Sequence, residues 1–337
     1  AGEDKVTGYF AMRTFTIEPD NKGLPRFCLN HEPLFLNGVL DQGYWPDGLY
    51  TAPSDEALIY DIQTMKNLGF NMIRKHVKVE TARWYYHCDR LGMIVWQDMV
   101  NGGSPYKHWF VTYLATLMNW NHISFSDDEK HAGLLSRLDP EGKDEFRREI
   151  TETIAFLYNH PSIVVWVPFN EGWGQFDALA ACEQIRTLDS SRLIDHASGW
   201  FDQKGGDILS LHYYFLKLKF KPESKRAAAL TEFGGYSLSI PGHSCCKKVY
   251  GYKKFNSTGA LTYGYIDLIR QTILPAVKKG IGATVYTQLS DIEEETNGIY
   301  TYDREICKID PDTLRKWNRA LKEAGECKTY ADHPTDH

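Results

Sequence analysis

The chain has no apolar run approaching the ~20 residues that a membrane-spanning helix needs, so no membrane partner is expected. Positive charge is not in excess either. Its 38 Lys and Arg stand against 44 Asp and Glu, and a net charge of −6 argues against a nucleic-acid partner or an anionic membrane surface. Cysteine is sparse and odd in number, seven residues with no Cys-x-x-Cys spacing. That pattern excludes the usual zinc and thioredoxin-like motifs and points to free thiols in a reducing compartment. No Gly-rich phosphate loop follows an early strand-like run, and no cofactor is expected. The first residues, Ala1-Gly2-Glu3-Asp4-Lys5, lack the basic and apolar pattern of a secretory leader. A cytoplasmic location is expected, with secretion left open if an upstream segment has been removed. Internal repeats and low-complexity tracts are absent as well.

What the chain does have is a hydrophobic content of 42% and many aromatic residues, with 9 Trp and 20 Tyr. Rings cover the apolar faces of sugars, so the enrichment fits a carbohydrate site; it fits a large core equally well. Strand-like runs occur at 35–40, 71–75, 94–97, 163–167, 193–196, 208–212, 228–231 and 283–287. Most are continuously apolar, as parallel strands covered on both faces should be. Helical patterns lie between many of them, at 55–68, 81–91, 144–158, 176–188, 263–279 and 311–324. Eight such strands with intervening helices predict a (β/α)8 TIM barrel over residues 31–325. A doubly wound open sheet is the alternative. Residues 1–30 read as a hairpin or linker, with a strand at 9–17 turned back by Asp20-Asn21-Lys22-Gly23, and residues 326–337 as a tail. Long loops at 100–140 and 236–260 follow the third and seventh strands, where a barrel carries its chemistry.

Barrel enzymes place reactive groups where strands end. Those ends hold Asp41, His76, Asp98, Asn170-Glu171, His196, His212-Tyr213-Tyr214, Glu232 and Gln288 with Asp291. Glu171 and Glu232 follow the fourth and seventh strands, which face each other across a barrel of eight. Two carboxylates so placed can flank a glycosidic bond. Glu232 is followed by Gly234-Gly235, where a substrate could approach the backbone, and Arg74 is its expected ion-pair partner.

Asn159-His160-Pro161-Ser162, then Trp166, then Asn170-Glu171 resembles the acid/base signature of glycoside hydrolase family 2. Asn71-Met72-Ile73-Arg74 with His76 resembles that family's second-strand motif, one residue shorter before the His. Leu230 to Gly235 is similar to its nucleophile strand. Residues 286–291, Asn297-Gly298-Ile299 and Asp303-Arg304 are similar to its eighth strand and following loop. The resemblance implies a retaining double displacement with Glu171 as acid/base and Glu232 as nucleophile. It implies that Asn170 binds the sugar 2-hydroxyl, that Tyr213 or Tyr214 donates to the nucleophile, and that Arg74 keeps it ionised. Trp200 and Tyr286 would line the sugar subsite, and Asp41, Trp45, His76, Asp98 and His212 are further candidates for hydroxyl contacts. The family usually places β-sandwich domains ahead of the barrel, so such domains are expected in a full-length protein, with residues 9–17 as the end of one. Self-association is left open.

The family's glucuronidases carry an Asn-x-Lys element near the eighth strand, whereas this chain reads Glu294-Glu295-Thr296-Asn297-Gly298. An anionic sugar is therefore disfavoured, and a neutral β-galactoside is the first expectation, ahead of β-glucosides, β-mannosides and arabinopyranosides. The alternative function is a sugar-binding or weakly active barrel belonging to a larger glycosidase. A metal-dependent hydrolase using His76, His196 and His212 is the least favoured reading, since no His-x-His pair occurs, and no metal is expected.

Overall fold

The computed structural model describes residues 3–121 and 123–326. Most of the expected tail lies outside those residues. Eight parallel strands form one sheet: β1 (Leu36–Asp41), β2 (Met72–Lys75), β3 (Ile94–Asp98), β4 (Ile163–Val167), β5 (Leu193–Ile194), β6 (Ile208–Tyr213), β7 (Ala227–Gly234) and β8 (Ile281–Thr287). The pairing order β5-β4-β3-β2-β1-β8-β7-β6 is a barrel open at one seam, between β5 and β6. Two hydrogen bonds to the peptide N–H groups bridge that seam: Asp207 N–H donates to the Ile194 carbonyl (2.8 Å), and Ile194 N–H to the Asp207 carboxylate (2.8 Å). The predicted TIM barrel is the observed fold, and the open doubly wound sheet is not.

Helices cover most of the outside. They are α1 (Asp55–Asn67), α2 (Ala82–Leu91), α3 (Ala115–Trp120), α4 (Pro140–Leu157), α5 (Ala178–Leu188), α6 (Thr258–Leu268), α7 (Leu274–Lys278) and α8 (Pro311–Gly325). Their ends follow from side-chain chemistry: Ser54 caps α1 by accepting from Ala57 N–H, and Asp139 caps α4 with Pro140 in its first turn. Among the described residues no helix follows β5 or β6; loops make those two connections. Nor is any described helix long and apolar enough to cross a membrane.

The strand pleat sorts side chains into two layers. Leu40, Met72, Trp96, Val164, Val167, Ile208, Ala229 and Val285 fill the barrel interior. Val39, Ile73, Val95, Trp166, Leu230 and Tyr286 face the helices. The N-terminal strands Phe15–Pro19 and Pro25–Leu29 pair antiparallel, so the hairpin exists but starts later than predicted. Residues 9–14 form no strand. Phe15 stacks on Phe27, which packs against Trp96 at 5.9 Å within the barrel-interior cluster. The hairpin thus plugs the end of the barrel where the strands begin.

Candidate active site

The inward positions at the strand ends converge on one buried ion-pair network. On β2, Met72 and Arg74 point inward by alternation, and Arg74 is fully buried beneath the cavity. Its guanidinium forks onto Asp98 of β3 (3.0 and 2.9 Å). The same group donates to Glu232 (3.2 Å), to the side-chain carbonyl of Asn170 (2.9 Å) and to the Thr231 backbone (3.1 Å). Although burial would raise the Asp98 carboxyl, the Arg74 charge holds it below its ordinary range. Arg74 is paired with Glu232, as expected, whereas Asp98, a candidate for a sugar hydroxyl contact, is buried as part of the support under the residues that face the cavity.

Glu232 owes its position to a bulge in β7. The register against both neighbouring strands shifts around Thr231 and Glu232, so two consecutive side chains face inward. Thr231 reaches the barrel core, and Glu232 reaches Arg74 and the Tyr214 hydroxyl, which donates to it. Tyr214, and not Tyr213, is therefore the partner of Glu232. Along β6, Ile208, Ser210 and His212 are inward, and Tyr213 packs toward the helices. The glycines after Glu232 were expected to let a substrate approach the backbone; aromatic rings take that space instead. Gly234 (φ 96°) and Gly235 (φ 63°) make room for the rings of Tyr286, Tyr252 and Tyr214, which a Cβ would strike at 2.5–3.1 Å.

Glu171 lies just past β4 with a left-handed backbone (φ 50°), its N–H bonded to the Ser198 carbonyl (2.9 Å). Its carboxyl is 2.8 Å from His212 Nδ1, and the same nitrogen is 3.6 Å from Glu232. One oxygen of each Glu and one ring nitrogen of His212 all lie within 4.8 Å of one another. Burial pushes the Glu171 carboxyl up from its ordinary value and the His212 imidazole down to about 4. The arrangement offers one carboxyl whose protonated form burial favours, beside a second that Arg74 and the Tyr214 phenol hold in place.

Glu171, Asn170 and His76 line a cavity of about 270 Å³ with Gln42, Tyr44, Tyr50, Tyr106 and Trp173. That is close to the lower end of small-molecule sites, roughly 300–1,000 Å³. Because Arg74 occupies the Asn170 carbonyl, the amide NH2 is the group left for a ligand. His76 binds Asp98 (3.0 Å), which keeps its imidazole above the ordinary value despite burial. Trp200 lines a second, more aromatic opening beside His212, with Tyr214, Tyr252 and Trp120.

Besides Tyr213, three candidates do not reach the site. Asp41 is paired with Lys75 (2.5 Å) on the helix side of the sheet, since Leu40 takes the inward position. Tyr286 likewise faces outward, packed against Phe233 and Tyr265. The Arg304 guanidinium covers the Trp45 ring at 4.2 Å, away from the acidic pair. Gln42, not among the expected contacts, and Glu295, expected only as part of an acidic loop, take their places. Gln42, one position beyond Asp41, donates to Gln288 (3.1 Å) and Glu295 (3.3 Å), and Gln288 donates to Glu295 (3.0 Å). Strand alternation was the signal that could have found Gln42. Glu295 comes from a loop and had none beyond its charge.

Among the described residues two groups of side chains could hold a cation, Glu171-His212-Glu232 and His243-Asp303-Glu305. His76 and His196 join neither; each pairs with a carboxylate, Asp98 and Asp202.

A family profile described as glycosyl hydrolases family 2, TIM barrel domain, matches residues 22–273. A beta-galactosidase of Leuconostoc mesenteroides subsp. mesenteroides is 26% identical over 97% of this chain, which spans 30% of that relative. A beta-galactosidase of Lactococcus lactis subsp. lactis is 28% identical over 58% of the chain and 16% of its own length. Among solved structures, a beta-galacturonidase of Eisenbergiella tayi superposes with a TM-score of 0.64 at 18% identity, covering 92% of this chain and 55% of the other. A beta-D-glucuronidase from Dictyoglomus thermophilum gives 0.67 at 14% identity, covering 92% and 54%. At these identities the structural likeness shows the fold alone.

Proposed function

The chain belongs to glycosyl hydrolases family 2 by its TIM barrel domain, and from that premise we propose that it is the catalytic module of a retaining β-glycosidase. Glu171 is its acid/base and Glu232 its nucleophile. The observation that carries this reading is the pair's geometry, two carboxyl oxygens within 4.8 Å across the barrel. Retaining enzymes hold their two carboxyl groups about 5–5.5 Å apart, whereas inverting ones leave about 6.5–9.5 Å for a water. In the first step Glu232 attacks the anomeric carbon while Glu171 protonates the departing oxygen. In the second, Glu171 takes a proton from water, which attacks the same carbon and releases Glu232. Arg74 and Tyr214 keep Glu232 aimed between steps. The Asn170 NH2 reads the 2-hydroxyl, a bond that strengthens as positive charge develops on the sugar ring.

The substrate we favour is a neutral β-glycoside, a β-galactoside first. Two relatives named as beta-galactosidases support the choice. So does Glu295, whose carboxyl stands with Gln42 at the cavity edge, in the field of Glu171 and Glu232. A uronate carboxylate placed there would meet a third acidic group, and the cavity lining holds no Lys or Arg to replace the missing Lys. The chain spans about a third or less of these relatives, which favours one second reading: a barrel that needs neighbouring sandwich domains to complete its subsite and binds sugar with little turnover alone. A panel of nitrophenyl β-glycosides, followed by NMR of the first-formed anomer, separates them. Galactoside cleavage with a β-product, abolished by Glu232→Ala, is the expected result. An α-product would refute the mechanism, and sugar binding without turnover would favour the second reading.

A further inference from the structure

Behind His212 a file of buried hydroxyls crosses the open seam of the barrel. His212 Nε2 is 3.0 Å from Ser198 Oγ, and Ser198 Oγ donates to Thr231 Oγ1 (3.0 Å). Thr231 Oγ1 is 2.6 Å from Ser210 Oγ, which donates to Asp195 Oδ2 (3.0 Å). All of these side chains are buried, and the other Asp195 oxygen has no hydrogen-bond partner among the described residues. The alternative acceptors along the file are more distant: the Leu211 carbonyl for Thr231 and Ser198 Oγ for Ser210, both at 3.4 Å.

Each hydroxyl carries one proton, so the group at the end of the file sets the direction of all of them. An ionised Asp195 can only accept. Ser210 then donates to it, Thr231 to Ser210, Ser198 to Thr231, and His212 must donate from Nε2 to Ser198. A neutral imidazole protonated at Nε2 has a lone pair on Nδ1. That lone pair faces the Glu171 carboxyl at 2.8 Å. It accepts from the protonated acid and repels the carboxylate.

We propose that Asp195 is a positioning residue which, through Ser210, Thr231 and Ser198, fixes the Nε2–H tautomer of His212 and so presents a bare Nδ1 that keeps Glu171 protonated. The inference rests on reading Glu171 as the acid/base. No proton moves along the file; each stays on its oxygen, and only their common direction matters. The depressed His212 imidazole supports it, because a neutral ring has a tautomer to choose. Burial raises the Asp195 carboxyl to about 6 against the nearby Arg74 charge and the Ser210 hydrogen bond, with His196 and Asp98 also close, so the file runs in this direction above that pH. The charged groups acting on Glu171 are Arg74 and His76, with Glu232 beside it across His212 and Glu295 at the cavity edge. The neutral phenols of Tyr106, Tyr214, Tyr250 and Tyr252 also surround it.

Asp195→Asn tests this, because its amide can donate to Ser210 and reverse the file, turning His212 Nδ1–H toward Glu171. The basic limb of the kcat/KM profile, which follows Glu171 deprotonation, should move down by about one pH unit. Ser198→Ala cuts the file and should move it the same way by less, and the double variant should add little. Nitrogen NMR of labelled histidine should show Nε2–H in the parent and Nδ1–H in Asp195→Asn. An unmoved basic limb in a variant that melts like the parent, or an Nδ1–H tautomer in the parent, overturns the proposal. If Asp195→Asn does not fold, Ser198→Ala decides alone. Glu171→Ala keeps the two levels apart: unimpaired turnover of a poor leaving group there would remove Glu171 as the acid, whereas loss restored by azide with an unmoved Asp195→Asn limb condemns only the file.

Discussion

Replacing Arg74 by Ala should be among the most damaging single changes in this barrel, and the reason is what it leaves behind. Arg74 makes five hydrogen bonds, two to Asp98 and one each to Glu232, Asn170 and the Thr231 carbonyl. Asp98 is itself almost fully buried. Removing one partner of such a pair costs about 3–5 kcal/mol, because the surviving anion stays out of water unpaired. For a domain whose stability is roughly 5–15 kcal/mol, that is a large fraction. At ~2–4 °C per kcal/mol the melting temperature should fall by about 6–20 °C near neutral pH. The pH dependence gives a second, independent sign. In the parent, Asp98 lies below its unfolded value, so its contribution is present above that value and is lost as pH falls through the lower, folded one. In the variant burial acts without the cation, the carboxyl is raised, and protonating it relieves the penalty. The gap between parent and variant should therefore narrow on acidification. Calorimetry across pH 4 to 8 checks both points; a loss under about 1 kcal/mol, or a gap that widens in acid, would refute the reasoning.

Tyr214→Phe removes the phenol that donates to Glu232 and should lower kcat by about 10²-fold, while Tyr213→Phe, on the outward face, should leave it within about twofold. Equal effects in steady-state kinetics would contradict the assignment by strand alternation. Glu295→Gln should reduce discrimination against glucuronides relative to galactosides, read as a ratio of kcat/KM values; an unchanged ratio would remove Glu295 as a charge filter. Phe27→Ala empties the plug beneath Trp96 and should cost about 3–5 kcal/mol in chemical denaturation without changing KM, whereas a near-neutral change would mean the hairpin is not part of the barrel's core.

The barrel was legible because its strands announce themselves. Runs such as 163–167 are continuously apolar, bounded by Pro161 and Pro168, and only a strand covered on both faces needs that pattern. Helix starts were legible for a similarly local reason, as at Ser54. No helical pattern marked the connections after β5 and β6, and none is observed there, but the open seam was not foreseen. There the ring is completed by Asp207 and a file of hydroxyls, which carry no periodic signal. Within the site, alternation separates the residues that reach the cavity from those that do not. Leu40 inward puts Asp41 outward; Val285 inward does the same to Tyr286. His212 inward carries Tyr214 with it and leaves Tyr213 outside. One position escapes that rule: Thr231 and Glu232 both face inward because β7 bulges there, and a bulge in Ala-Leu-Thr-Glu-Phe has no sequence mark. His212 as the neighbour of both acids, and Glu295 at the cavity edge, arise from contacts between distant loops and strands, which spacing along the chain does not encode.

The central claim is that Glu232 forms a covalent bond to the sugar while Glu171 serves as acid and base. An activated 2-deoxy-2-fluoro-β-galactoside slows both steps, and with a good leaving group it slows breakdown of the intermediate more, so the glycosyl-enzyme should accumulate. Mass spectrometry of the digested protein should then find one added fluorosugar on the peptide holding Glu232, lost on prolonged incubation as activity returns. Labelling at Glu171, or inactivation without any covalent adduct, would contradict the account.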